Sequence, residues 1–326
     1  MGPEGRRRAP LWGFGRMTAR SLEITAVETI RRIRGGLWRV LEDRNLLGAL
    51  FILPALLILG VFLAYPFFLG LWLSFTDAMI GRQGMFIGVA HYASLLKDSL
   101  FWLVTFNTFL YTIVAVAIKL ILGLALAIVL NREFWGKSLV RAIVLLPWIV
   151  PTALSAIAWW WIYDAQFSVV SWVLKQMGLL QQNINFLGEP WLARWSVIVA
   201  NIWRGVPFFA IGLLAGLQTI PPHLYEAAAI DGATGWSQFR HITWPLLLPL
   251  TAVVTVFSVI WTFADFQLIY ILTRGGPANA THLYGTLAYQ RAIQGGQMGE
   301  GAAIANFIFP VLLVCVIVAF RYLRRE

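Results

Sequence analysis

The chain has 326 residues, 59% of them hydrophobic and only 12% charged, with a formal net charge of +10. Water-soluble domains carry about a quarter charged residues, so composition excludes an ordinary soluble globular protein and points to a membrane protein. Nucleic-acid binding is also disfavoured: the cations flank apolar runs, and no soluble domain is left to carry a basic surface.

Residues 1–45 hold ten arginines and read as a basic cytoplasmic N-terminal segment. Within it Leu22, Ile24, Val27, Ile30, Ile33, Leu37 and Val40 recur at roughly helical spacing. That pattern fits a helix lying on the cytoplasmic leaflet, and equally a solvated basic tail; its arginines could touch anionic lipid headgroups. The first long apolar run, Leu46 to Phe75, has no ionisable side chain except Tyr65. About twenty apolar residues cross a bilayer, and the run is too long for a cleavable signal.

Six spans are predicted over residues 46–75, 101–130, 139–163, 195–217, 247–272 and 302–320, making 46–326 a six-helix transmembrane domain. Helices are expected because only helices and closed barrels satisfy the backbone in lipid, and these runs are apolar on every side rather than alternating. The loops Phe86–Leu100 and Gln166–Leu192 mix tryptophan with polar residues and read as short helices along the membrane edge. An inside N-terminus places seventeen Lys and Arg in the cytoplasm and six in the opposite loops, so both termini are expected to be cytoplasmic. The one cysteine, Cys315, reads as a small core residue. The four histidines show no metal-ligand spacing.

The most informative segment is cytoplasmic, Pro221 to Pro245. Pro221 and Pro222 suit a helix entry, Leu224–Ile230 is a short helical stretch, and Gly232 and Gly235 break it. A second short helix, Trp236 to Ile242, leads into Pro245 and the next span. Glu226, Ala227 and Ala228, then Gly232, Ile242 and Pro245, resemble in identity and spacing the signature loop of binding-protein-dependent import permeases. Trp244 stands where leucine is usual, one large apolar side chain for another. Leu146–Pro151, Asn201–Pro207 and Leu272–Pro277 further resemble the maltose-type, sugar-uptake branch, and the likeness runs from about residue 46 onward. The chain lacks the two extra N-terminal spans and the large periplasmic insertion of the maltose permease itself.

The resemblance implies an all-α, type I permease of an ATP-binding-cassette importer in the bacterial inner membrane. It implies that Glu226, Ala227, Ala228, Asp231, Gly232, Ile242 and Pro245 form a coupling loop that docks on an ATP-binding subunit. It also implies a second permease of similar fold, two ATP-binding subunits, and a periplasmic or lipid-anchored sugar-binding protein as partners. ATP and Mg would be bound by the ATPase partners, with no cofactor in this chain.

Polar residues at membrane depth are functional candidates. Trp148 and Thr152 lie beside Pro147 and Pro151 in span three. Asn201, Arg204 and Phe208 share one face of span four, and Ser258, Trp261, Thr262 and Asp265 one face of span five. Aromatic faces rimmed by hydroxyl, amide and carboxylate groups suit a polyhydroxylated solute. In the family, corresponding spans hold the solute, which extends that role to Trp148, Asn201, Phe208, Trp261, Thr262 and Asp265. Arg204 and Asp265 could instead neutralise each other or meet the second permease. Lys119, deeper in span two, has no evident partner. Gly212 and Gly216 permit close helix packing, within the subunit or between permeases.

Gly136-Lys137-Ser138 resembles the end of a nucleotide-binding loop, but Asn131 occupies the position of its first glycine and no strand precedes it. The chain is therefore not expected to bind ATP. A stand-alone secondary transporter is the alternative, though no inverted repeat is visible. An intramembrane enzyme would need a catalytic dyad, and none is discernible.

Overall fold

A computed structural model describes residues 44–323, and the described residues are helical, with no β-strand beyond isolated bridges. The expected interfacial helix between Leu22 and Val40 lies outside them. The chain divides into two units, residues 1–68 and 69–326. The described part of the first holds helix α1 (Arg44–Leu59) and a wider helical turn, Gly60–Ala64. Its large apolar side chains, Phe51 and Phe62 among them, are exposed, as lipid-facing side chains are. The candidate span Asn45–Leu73 continues into α2 (Tyr65–Leu73).

In the second unit, the two edge loops carry the expected short helices, α3 (Ala90–Leu95) and, later, α7 (Val169–Gln176). Helix α4 (Ser99–Asn131) opens on Asp98, whose side chain accepts from the Leu100 N–H at 2.9 Å. At its far end Arg141 donates to the Leu130 carbonyl at 2.8 Å, closing the helix with a cation where the dipole is negative.

Two spans differ from expectation. Residues 139–163 are not one continuous helix: α5 (Lys137–Ile149) and α6 (Thr152–Ile162) meet at 91°. Pro151 has no N–H to continue the ladder and pushes Val150 into extended backbone, so the helix ends there. The span predicted over 247–272 stops at Phe263. Asp265 accepts from the Leu268 N–H at 3.3 Å and so starts the separate helix α12 (Gln267–Leu272). The remaining helices are α8 (Pro190–Leu217), α9 (Pro222–Ile230), α10 (Gly235–Gln238), α11 (Trp244–Phe263), α13 (Tyr284–Tyr289), α14 (Met298–Asn306) and α15 (Ile308–Leu323). Five helical stretches are long and apolar enough to cross a membrane, and the bent α5–α6 pair supplies a sixth if it counts as one span.

Helices α4 and α8 pack along much of their lengths, with α11 against both. Lipid tails are as apolar as leucine, so close fit rather than water exclusion holds such helices together. Glycines make that fit possible. A Cβ at Gly123 would overlap Phe209, and Cβ atoms at Gly212 and Gly216 would press on Val254 and on Leu247 and Leu250 of α11. The Gly212–Gly216 pair therefore serves packing inside the subunit. Phe209, Leu213, Leu217 and Leu247 form one buried cluster near the loop Pro221–Pro245, while Tyr111, Val197, Ile198 and Leu268 form another.

Candidate functional site

A half-open cavity of about 470 Å³ lies between α4, α5, α6, α8 and α11. All nine residues singled out from the sequence line it: Trp148, Thr152, Asn201, Arg204, Phe208, Ser258, Trp261, Thr262 and Asp265. The bend between α5 and α6 is what brings Trp148 and Thr152 to one wall.

One side of the cavity is aromatic. Trp148 stacks on Phe208 with centroids 5.1 Å apart, and Trp261 meets Phe208 at 5.0 Å and Trp148 at 5.4 Å. Trp261 is 49% exposed, leaving an indole face open. The other side is a polar network centred on Lys119, which is 3% exposed. Its Nζ donates to Asn201 Oδ1 at 2.9 Å and to Thr262 Oγ1 at 2.8 Å. Asn201 Nδ2 donates onward to Asp265 Oδ2 at 3.2 Å, and Tyr111 Oη donates to the same oxygen at 2.7 Å. Gly205 completes the arrangement, because a Cβ there would overlap the Lys119 side chain.

Arg204 and Asp265 do not form an ion pair. Asp265 is held by Tyr111, Asn201 and the Leu268 N–H, while the Arg204 guanidinium lies over the Trp148 ring at 5.7 Å. Arg204 Nε is buried with no hydrogen-bond partner. Sequence reasoning placed Lys119 without a partner and missed Tyr111, Gly205, Phe266 and Gln267. A lone lysine in an apolar span was the available signal; its acceptors lie 82 and 143 residues away in sequence.

The second site is the loop after α8. Helix α9 turns at Gly232, which takes φ +79°. Chain then runs through α10 and a wider helical turn, Phe239–Thr243, directly into α11. Tyr225 and Thr243 hydroxyls pair at 3.0 Å, tying α9 back to the foot of α11. Glu226, Ala227, Asp231 and Gly232 are exposed and Ala228 is half-buried. Ile242 instead packs inward against the buried cluster at this end, and Pro245 begins α11. Two apolar side chains the sequence reading passed over stand out here: Ile230 is 87% exposed and Trp236 72%.

The family of binding-protein-dependent transport system inner membrane components matches residues 119–325, a stretch that includes every residue lining the cavity and the whole loop. This chain belongs to that family. The permease is 38% identical over 273 residues to the trehalose/maltose transport system permease protein MalF of Thermococcus litoralis, covering 83% of this chain and 92% of the relative. It is 33% identical over 291 residues to the sulfoquinovosyl glycerol transport system permease protein SmoG of Agrobacterium fabrum, covering 89% and 94%. Among solved structures, a bacterial ABC transporter that imports the acidic polysaccharide alginate superposes with a TM-score of 0.76 at 28% identity, covering 89% of this chain and 98% of that one. The permease is thus a multi-pass inner-membrane transport component of the type I importer fold, not an enzyme.

Proposed function

We propose that the permease is one membrane half of an ATP-driven importer whose cargo is a sugar or related small polyhydroxylated solute. The observation that carries this is the cavity. Three aromatic rings with an open indole face can pack on the CH surface of a sugar ring, and the amide, hydroxyl and charged groups opposite can hydrogen-bond its substituents. The relatives are named for trehalose and maltose and for sulfoquinovosyl glycerol, and the alginate importer was solved with a pentasaccharide-bound periplasmic protein. Each of these cargoes is a glycan or glycoside, which supports the class without selecting the sugar.

In this reading a periplasmic or lipid-anchored binding protein delivers the solute. A second permease of similar fold completes the path, and two ATP-binding subunits hold ATP and Mg. The loop Pro221–Pro245 docks on one ATPase through its outward residues, with Glu226 offering a charge and Ala227 and Ala228 permitting close approach. Ile242 and Pro245 act from the other side, fixing the loop to α11 so that motion at the ATPase reaches the cavity wall at Trp261 and Thr262. The excess of Lys and Arg on one side supports cytoplasmic termini.

The test is uptake in vesicles reconstituted with the permease, its partners and candidate sugars. Import should require ATP and the binding protein, and Trp261→Ala should slow it without changing the binding protein's affinity. ATP-independent uptake by the permease alone would support a secondary transporter instead.

A further inference from the structure

We propose that the cavity is built for a solute bearing an anionic group, a carboxylate, a phosphate ester or a sulfonate, held by Arg204 and Lys119. This rests on the solute reading above and narrows it.

The case is a count of donors against acceptors. Asn201 Oδ1 and Thr262 Oγ1 both accept from Lys119. Asp265 Oδ2 accepts from Tyr111 and Asn201, and its Oδ1 from the Leu268 N–H. The acceptors around Lys119 are engaged within the wall itself, while Thr152, Ser258 and Gln267 add neutral groups that can both donate and accept. Donors are in surplus. Lys119 has three N–H groups and uses two. Arg204 Nε is buried without a partner, and a guanidinium cannot shed its proton to escape.

Charge points the same way. Two cationic side chains, Lys119 and Arg204, face the cavity, and Asp265 is the one carboxylate among its lining residues. A neutral sugar can pair with the hydroxyl and amide groups of this wall, but it leaves the surplus cationic donors unmatched. An anionic substituent brings acceptors alone, and it offsets the cost of leaving a buried donor unpaired. Gly205 adds a steric argument, because a Cβ there would overlap the side chain of Lys119, which lines the cavity.

The experiment uses the assembled complex in nanodiscs without its binding protein, so that only the permeases select. Thermal midpoints are followed against concentration of glucose and of glucuronate, which differ in one carboxylate, at matched ionic strength. Glucuronate should bind about tenfold tighter than glucose, the scale of one charged hydrogen bond. Arg204→Met should bring the ratio close to one, and Arg204→Lys should retain part of it. If Arg204→Met does not assemble, Arg204→Gln gives the same reading, since it drops the charge and keeps a donor. Equal binding of the two sugars, or a preference untouched by Arg204→Met or Arg204→Gln, overturns the anion assignment and leaves the sugar site standing. If neither sugar moves the midpoint, the cavity is not the solute site and both readings fall.

Discussion

Replacing Gly205 by alanine adds one methyl group and changes no polar atom, yet it should disable the cavity. The new Cβ would overlap the Lys119 side chain, whose ammonium is pinned by Asn201 and Thr262. Alanine gains about 1 kcal/mol over glycine from helix propensity. Against this, overpacking costs about 1–3 kcal/mol, and each hydrogen bond lost from the charged ammonium costs about 1.5–3 kcal/mol. The costs exceed the gain even if one bond survives, so a net loss of about 1.5–5 kcal/mol is expected. Unfolding by SDS titration in mixed micelles reads the stability, and vesicle uptake reads the function. Gly48→Ala is the control, since a Cβ there meets nothing within 4 Å and should be neutral or stabilising. Pairing Gly205→Ala with Lys119→Met should recover about 1 kcal/mol or more of stability, because the two sites touch. A Gly205→Ala permease as stable as the Gly48→Ala control, and importing at the wild-type rate, would refute the steric account.

The loop and the surface outside the membrane give three further expectations. Glu226→Lys should weaken ATPase docking, and Gly232→Val should strain a backbone at φ +79° by about 1–2 kcal/mol. Both should lower transport-linked ATP hydrolysis, and normal coupling in both variants would remove the loop from the docking surface. The purified permease alone should neither bind nor hydrolyse ATP, a point equilibrium dialysis with labelled nucleotide settles. Burial lowers the His282 pKa from 6.5 to about 4, so the neutral ring is the folded form, its Nδ1 3.0 Å from Thr286 Oγ1. The stability this contributes is complete above about pH 6.5 and lost as pH falls towards 4; the thermal midpoint should fall over that window, and His282→Gln should flatten the fall.

What was legible in the sequence follows from which forces act locally. The run from Leu46 onward declares a span by apolarity alone, and Pro222, Gly232 and Gly235 declare the loop by backbone chemistry. Helical spacing put Asn201, Arg204 and Phe208 on one face, and the structure turns that face to the cavity. The partners of Lys119 were illegible because they depend on the relative register of α4, α8 and α11, which no local pattern encodes. The stop at Phe263 was hidden for a different reason. Phe266 to Leu272 is as apolar as the span before it, and only the Asp265 side chain, bonding the backbone three residues on, separates the two helices. Pro151 signalled a disturbance, but the 91° angle between α5 and α6 is a tertiary feature that no local pattern encodes.

The meeting of α5 and α6 also has an electrical side. Where one helix stops and another starts within a few residues, the last carbonyls of the first and the first N–H groups of the second lack intrahelical partners. The negative pole of α5 and the positive pole of α6 are thereby set beside each other between Trp148 and Thr152, two residues that line the cavity. Beside its polar side chains, this region thus gains polarity from its own main chain. A side chain can be exchanged by a single substitution, whereas these poles persist as long as the break does. If the cavity holds the solute as proposed, cargo preference can drift through residues such as Arg204 while the polarity at the break stays fixed in the backbone.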